Sequence, residues 1–165
     1  MRYSKRLVLI FIVLLVCVGC DQATKSIAVS HLPEMKTVSY LGDIIRLQLT
    51  YNRGAFLSIG HSLPEFLRHS IFTVGIGFML LGALAYTLSS KSGTFCEVLA
   101  VSLIIAGGLG NLIDRIMHDG LVVDFLNIGI GPLRTGIFNV ADVAIMGGAV
   151  LLFFKKIIKW KLDKG

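Results

Sequence analysis

The chain has 165 residues, of which 55% are hydrophobic and only 16% charged, with a net charge of +6. Soluble domains carry about 25% charged residues, so this composition excludes an ordinary water-soluble domain and indicates a membrane protein of one compact unit. The basic residues flank apolar runs, with Arg2, Lys5 and Arg6 before the first and Lys155, Lys156, Lys159, Lys161 and Lys164 after the last. That arrangement is a topology signal and excludes nucleic-acid binding as the reading of the charge.

The first apolar run, Leu7 to Cys20, is short for a membrane span and reaches full length if the helix continues through Asp21 and Lys25. Its basic start and its Val18-Gly19-Cys20 end also fit a lipoprotein signal peptide. Three further apolar segments make that reading awkward, and Cys17 stands where such signals usually have Leu. Cys17, Cys20 and Cys96 read as buried, inert thiols. Asp21 and Lys25 are four residues apart, so a helix puts them on one face. They form either a salt bridge at the interface or the polar wall of a site.

A long loop follows. Ile45, Leu47, Leu49 and Tyr51 alternate with Arg46, Gln48 and Thr50, the period of a half-buried strand. Ser62 and Pro64 are read as the N-cap and first helical position of a second span, with Glu65 in its first turn. A short link around Lys91 leads to the third, which ends in Gly107, Gly108 and Gly110 followed by Asn111, Asp114 and Arg115. The glycines are read as helix-packing positions. Asn111, Asp114 and Arg115 share a face, where they either cap and anchor the helix end or let Arg115 hold a carboxylate ionised. Leu121 to Ile128 reads as a second strand and carries Asp124. The last span contains Asp142 after Asn139.

The predicted architecture is an all-α membrane protein with a small β element: one domain over residues 1–165. It has spans at about 7–29, 66–88, 96–114 and 137–156, and outer loops at about 30–65 and 115–136. An even number of spans with basic ends puts both termini in the cytoplasm. All the acidic residues except Glu97 and Asp163 then gather at the outer face. His31, His61, His69 and His118 show no metal-ligand spacing. The inner halves of the spans are almost free of ionisable groups, which argues against a transporter. A metal-dependent lipid phosphotransferase built on Asp114, Asp119 and Asp124 lacks the spaced motif on one helix.

Asp124 and Asp142 each sit among apolar neighbours at similar depth, where an aspartate needs a partner or a job. Two carboxylates brought together cannot easily both ionise. One can then take a proton from water while the other donates to a carbonyl, as in aspartic peptidases.

Four blocks then resemble the bacterial lipoprotein signal peptidases (signal peptidase II). They are Asp21-Gln22-Ala23-Thr24-Lys25; Asn52-Arg53-Gly54-Ala55; Gly107 to Arg115 with Gly120 and Val123-Asp124-Phe125; and Phe138-Asn139-Val140-Ala141-Asp142. The resemblance implies four transmembrane helices with an outer antiparallel β-cradle in a bacterial inner membrane. It implies an aspartic endopeptidase that needs no cofactor, metal or oligomer. The implied substrates are diacylglyceryl-modified prolipoproteins, cut on the N-terminal side of the lipidated cysteine. It maps the catalytic pair onto Asp124 and Asp142, and the supporting residues onto Asp21, Lys25, Asn52, Gly54, Asn111, Arg115 and Asn139. Phe56 and the stretch Arg134 to Ile137 depart from the family pattern near the expected substrate channel. Strands near Thr50 and Val122 are expected to offer edges to an extended substrate.

Overall fold

The computed structural model describes residues 1–33, 36–54, 63–90, 93–162 and 164. Ser62, Phe56, His61 and Lys91, singled out above, lie outside the described residues.

Helix α1 runs Tyr3–His31 and so carries the first apolar run straight through Asp21 and Lys25. Its buried residues are Arg6, Ile10, Val13, Asp21, Lys25 and Ala28. Apart from the gap between Val13 and Asp21 these recur every three or four positions along one side of the helix, with Arg6 near one end and Asp21 and Lys25 toward the other. The opposite face exposes Val8, Phe11, Ile12, Leu15 and Val16, as a surface turned to lipid does.

Helix α2 spans Glu65–Ser89, with a π-helical stretch at Ser70–Gly75. Pro64 precedes the first helical residue in extended conformation, one position earlier than expected. Helix α3 covers Phe95–Met117 and opens on a capping box, in which Thr94 accepts from the Glu97 amide and Glu97 reaches back to Thr94. Helix α4 covers Val140–Leu162. The sequence placed its start near Ile137. Instead Phe138 exchanges backbone hydrogen bonds with Leu126 at 2.8 Å each way, which holds that stretch extended until Asn139. The helix also continues past the expected end near residue 156 to Leu162. By length and composition α1, α2 and α3 are able to cross a membrane. Helix α4 is as long as α3 but includes Asp142 and its basic terminal turns.

Helix α3 is central, packed against α1, α2 and α4. Glycines set its distance from α4. A Cβ on Gly107 would lie 2.3 Å from the Ala141 carbonyl oxygen, and one on Gly148 would lie 2.4 Å from that of Ala100. The two backbones therefore touch where only glycine fits.

One antiparallel sheet sits at the end of the bundle where α1 ends and α4 begins. Its strands are β1 Val38–Tyr40, β2 Ile45–Asn52, β3 Val122–Ile130 and β4 Leu133–Arg134, hydrogen-bonded in that order. Leu41, Gly42 and Asp43 turn β1 into β2 with positive φ. The Asp43 carboxylate receives Arg46 and Ser39 there, and the Arg46 guanidinium holds it below the usual carboxylate range. Both predicted strands form. However, Thr50 pairs with Asp124 and Asn52 with Val122. Each of these segments gives one edge to the other; on its far side β2 meets β1 only at Ile45–Leu47, so no strand pairs that edge at Thr50 among the described residues. The register shifts between Leu47 and Thr50, a bulge beside Asp124 that aims its neighbourhood out of the regular ladder.

Candidate active site

Three elements converge where the sheet meets the bundle. The end of α3 supplies Asn111, Asp114 and Arg115, β3 supplies Asp124, and the first turn of α4 supplies Asp142. A cavity of about 690 Å³ opens there. Its wall includes Asn52, Asn111, Arg115, Asp124 and Asp142, and it continues along α4 past Val143, Met146 and Val150. The two aspartates singled out from sequence thus face one space. Its polar end lies at the sheet, and its remainder is apolar.

The carboxylates are held by amides. Asn111 Nδ2 donates to Asp142 Oδ1 at 2.9 Å. Asn52 Nδ2 donates to Asp124 Oδ2 at 3.0 Å, and Asn139 Nδ2 donates to Asp124 Oδ1 at 2.7 Å. Asn139 also caps α4: its Oδ1 accepts from the Asp142 amide, and its own amide donates to Asp142 Oδ2. One asparagine, 0% exposed, therefore touches both aspartates. Burial pushes the Asp124 carboxyl up to about 7. The Asn52 and Asn139 hydrogen bonds oppose the rise, and the charge of Asp142 adds to it.

Behind this wall lies a charged knot. Lys25 Nζ sits 2.8 Å from Asp21 and 2.9 Å from Asp114, and it donates to Asn111 Oδ1 at 3.0 Å. Asp21 Oδ1 accepts from the Ala141 amide at 2.8 Å, satisfying one of the free N–H groups at the start of α4. Asp114 Oδ2 accepts from the Val123 amide at 2.9 Å, next to Asp124. The two readings of the Asp21–Lys25 pair merge: it is a salt bridge, and it braces the elements that carry the cavity wall. These charges are buried, so breaking one partner leaves another unpaired.

Of the two readings of Arg115, the structure bears out the helix-end anchor and not the carboxylate pair. Its guanidinium donates to the carbonyls of Gly54 and Asn111 at 2.9 and 3.3 Å and lies 5.9 Å from the Phe72 ring centre. Among the described residues it makes no ion pair. Its purchase on Gly54 matters because the Gly54 amide donates to Asn52 Oδ1 at 2.9 Å, fixing the amide that holds Asp124. All nine residues named from sequence thus belong to one connected cluster. Asn52, Asn111, Arg115 and the two aspartates line the cavity, while Asp21, Lys25, Gly54 and Asn139 stand behind it.

Two residues named from the sequence without a role contribute as well. Gln22 Nε2 donates to Asp114 and to the Gly110 carbonyl; it stands in the first of the resembling blocks, which gave it no role. Arg134 lines the cavity and binds Asn127 at 2.5 Å and the Asp43 carbonyl at 2.7 Å, locking the two hairpins together. Ile137, one of the departures from the family pattern, lines the cavity as well.

Membrane-length helices capped by a small sheet, with a polar cavity at their junction, are the architecture of a membrane enzyme. Two solved structures described as bacterial membrane enzymes, determined by the in meso method at 2.3 and 1.9 Å resolution, share it. The first matches with a TM-score of 0.81 at 25% identity over 94% of this chain and 91% of its own. The second matches with a TM-score of 0.76 at 25% identity over 88% of this chain and 90% of its own. The lipoprotein signal peptidase of Streptococcus pneumoniae is 34% identical over 90% of this chain and 92% of its own length. That of Treponema pallidum is 39% identical over 80% and 74%. The sequence profile of signal peptidase (SPase) II matches residues 12–158. The chain belongs to the signal peptidase II family, a family of proteases.

Proposed function

We propose that this protein is a membrane aspartic endopeptidase that removes signal peptides from diacylglyceryl-modified bacterial prolipoproteins, cutting on the N-terminal side of the lipidated cysteine. The observation that carries the reading is the pair Asp124 and Asp142, facing one cavity and linked by Asn139. One carboxylate takes a proton from a water molecule, and the other, protonated, polarises the scissile carbonyl. The raised Asp124 carboxyl supports a single proton held between them near neutral pH. Asn52, Asn111 and Asn139 orient the pair. Asp21, Lys25, Gly54 and Arg115 keep those amides in position.

In this reading α4 is a fourth span, the whole chain is one domain, and both basic termini face the cytoplasm. The sheet and the cavity mouth then lie at the outer surface of the inner membrane. The apolar stretch of cavity along Val143, Met146 and Val150 runs toward the hydrocarbon layer. It supports a substrate whose acyl chains stay in lipid while its backbone reaches the carboxylates.

The test is incubation of purified protein with the same prolipoprotein, diacylglyceryl-modified or unmodified. Cleavage of the modified form alone, on the N-terminal side of its cysteine, is expected. Equal cleavage of both forms, or of neither, overturns the substrate assignment.

A further inference from the structure

The stretch between β4 and α4 carries an open backbone edge inside the cavity. Its two ends are tied to β3. The Thr135 amide donates to the Ile128 carbonyl at 2.8 Å, and Phe138 exchanges bonds with Leu126 while its carbonyl also accepts from the Phe125 amide at 3.1 Å. Between these anchors the pairing slips by one residue, since Arg134 lies opposite Gly129 but Phe138 opposite Leu126. Gly136 and Ile137 therefore share the place opposite Asn127, as in a bulge. Asn127 fills the gap from the β3 side: its Nδ2 donates to the carbonyls of Thr135 and Gly136 at 2.6 and 3.5 Å.

Peptide planarity then fixes where Ile137 points. The peptide bonds of this stretch are trans, so each C=O and the N–H that follows it point opposite ways. The Phe138 N–H goes to β3, and the Ile137 C=O therefore turns away from it. The Gly136 C=O goes to Asn127, and the Ile137 N–H turns away as well. Among the described residues neither group makes a hydrogen bond. By the same rule the Asn139 N–H turns away from β3, and it meets Asp142 Oδ2 at 3.2 Å. The free edge thus looks to the side on which Asp142 stands. Gly136, Ile137 and Phe138 line the cavity together with both aspartates. Gly136 is exposed and Ile137 only half-buried, so the edge is open to a ligand.

Proteins usually cover or blunt an open strand edge. This one stands where a substrate backbone must be straightened before it is cut. A helical segment keeps its amides in its own hydrogen bonds. One residue of it, once unwound, regains a donor and an acceptor by pairing with Ile137. The other open edge, at Thr50 of β2, is not among the described residues that line the cavity.

We propose that Ile137 binds substrate through its backbone, its N–H and C=O holding one residue of the extended chain in a β-type pair beside the aspartates. The inference rests on the peptidase reading and names how that site keeps its substrate extended. The test uses the full chain in detergent and a diacylglyceryl-modified prolipoprotein. Ile137→Pro removes the donor at a residue whose φ is not positive. Relative to Ile137→Ala, which keeps the N–H, its kcat/KM is expected to fall about fivefold, the effect of one ordinary hydrogen bond. Replacing substrate amides by esters one at a time, with the scissile amide intact, weakens one carbonyl in turn. A single ester near the cut is expected to cost Ile137→Ala about fivefold and Ile137→Pro nothing further. The same coupling is expected when the α-hydroxy acid analogue of isoleucine replaces residue 137. That change removes the N–H without a ring, so a misfolded Ile137→Pro leaves the test standing. Wild type that leaves the all-amide substrate uncut sinks the peptidase reading itself. Wild-type cleavage with ester effects that are the same at every position, whether or not residue 137 keeps its N–H, overturns the edge alone.

Discussion

Asn139 donates its side-chain N–H to Asn111 Oδ1 at 3.0 Å, and through this contact the amides holding the two aspartates become one unit. The same Asn139 nitrogen reaches Asp124, while the other end of the Asn111 amide reaches Asp142. Lys25 also donates to Asn111 Oδ1. With its oxygen taken by two donors, Asn111 must turn its NH₂ to Asp142. The orientation of one carboxylate is therefore set from α1, far from it in sequence.

Replacement of Asp124 or Asp142 by Asn is isosteric and keeps the cavity. Each variant is expected to lose at least about a hundredfold in cleavage of a lipidated prolipoprotein, the lower range for a general acid or base. Melting in detergent should stay close to wild type. Near-normal turnover in either variant sinks the paired-carboxylate mechanism.

The pH dependence follows from Asp124. Its carboxyl, raised to about 7 chiefly by burial, is protonated below that value and ionised above it. The singly protonated pair is lost as pH rises through about 7, so kcat/KM should fall on the alkaline side. Asn52 donates to the ionised form and opposes the rise. Asn52→Ala should therefore move the descending limb to higher pH. The stability consequence has the same sign. The folded state binds the proton more tightly than the unfolded chain, so Asp124 makes the fold less stable as pH climbs from about 4 to about 7. A limb that does not shift in the Asn52 variant contradicts this assignment.

Lys25→Met leaves Asp21 and Asp114 buried without their cation. The expected cost is about 3–5 kcal/mol, read as a lower melting temperature and poor recovery of folded protein. Adding Asp21→Asn and Asp114→Asn to Lys25→Met removes the stranded charges and should recover part of the loss. If the single variant melts like wild type, the knot is not holding the bundle together.

Gly148→Ala tests the contact between α3 and α4 at a position remote from the aspartates. The new methyl would stand 2.4 Å from the Ala100 carbonyl oxygen, so the helices must move apart. Overpacking of this kind costs about 1–3 kcal/mol. Gly82→Ala, whose Cβ meets nothing within 4 Å, is the matched control and should be neutral or slightly stabilising. Equal melting of the two variants would show that the close approach carries no energetic weight.

Much of this was legible in the chain. Runs of apolar residues marked the helices, period-two alternation marked β2, and Asp142 stood out because a lone carboxylate in apolar company requires an explanation. The limits of the reading were equally physical. The start of α4 was placed too early because Ile137 and Phe138 are apolar, and nothing local shows that Phe138 pairs with Leu126. For Arg115 the sequence left a helix-end anchor and a carboxylate partner equally open, and only the fold shows its terminal nitrogens on the carbonyls of Gly54 and Asn111. The π-helical stretch in α2 has no sequence signature at all. Lys25 could be paired with Asp21 from spacing, but not with Asp114, which only the packing of α1 on α3 brings within 2.9 Å.

The bond from the Ala141 amide to Asp21 also bears on biosynthesis. Chains emerge from the ribosome N-terminus first, so the carboxylate of α1 waits for a donor on the last helix to be made. Until α4 docks, Asp142 has not joined Asp124, and the pair proposed to activate water is incomplete. On the proposed mechanism a nascent or truncated chain is therefore a dormant hydrolase, armed only when its final helix docks.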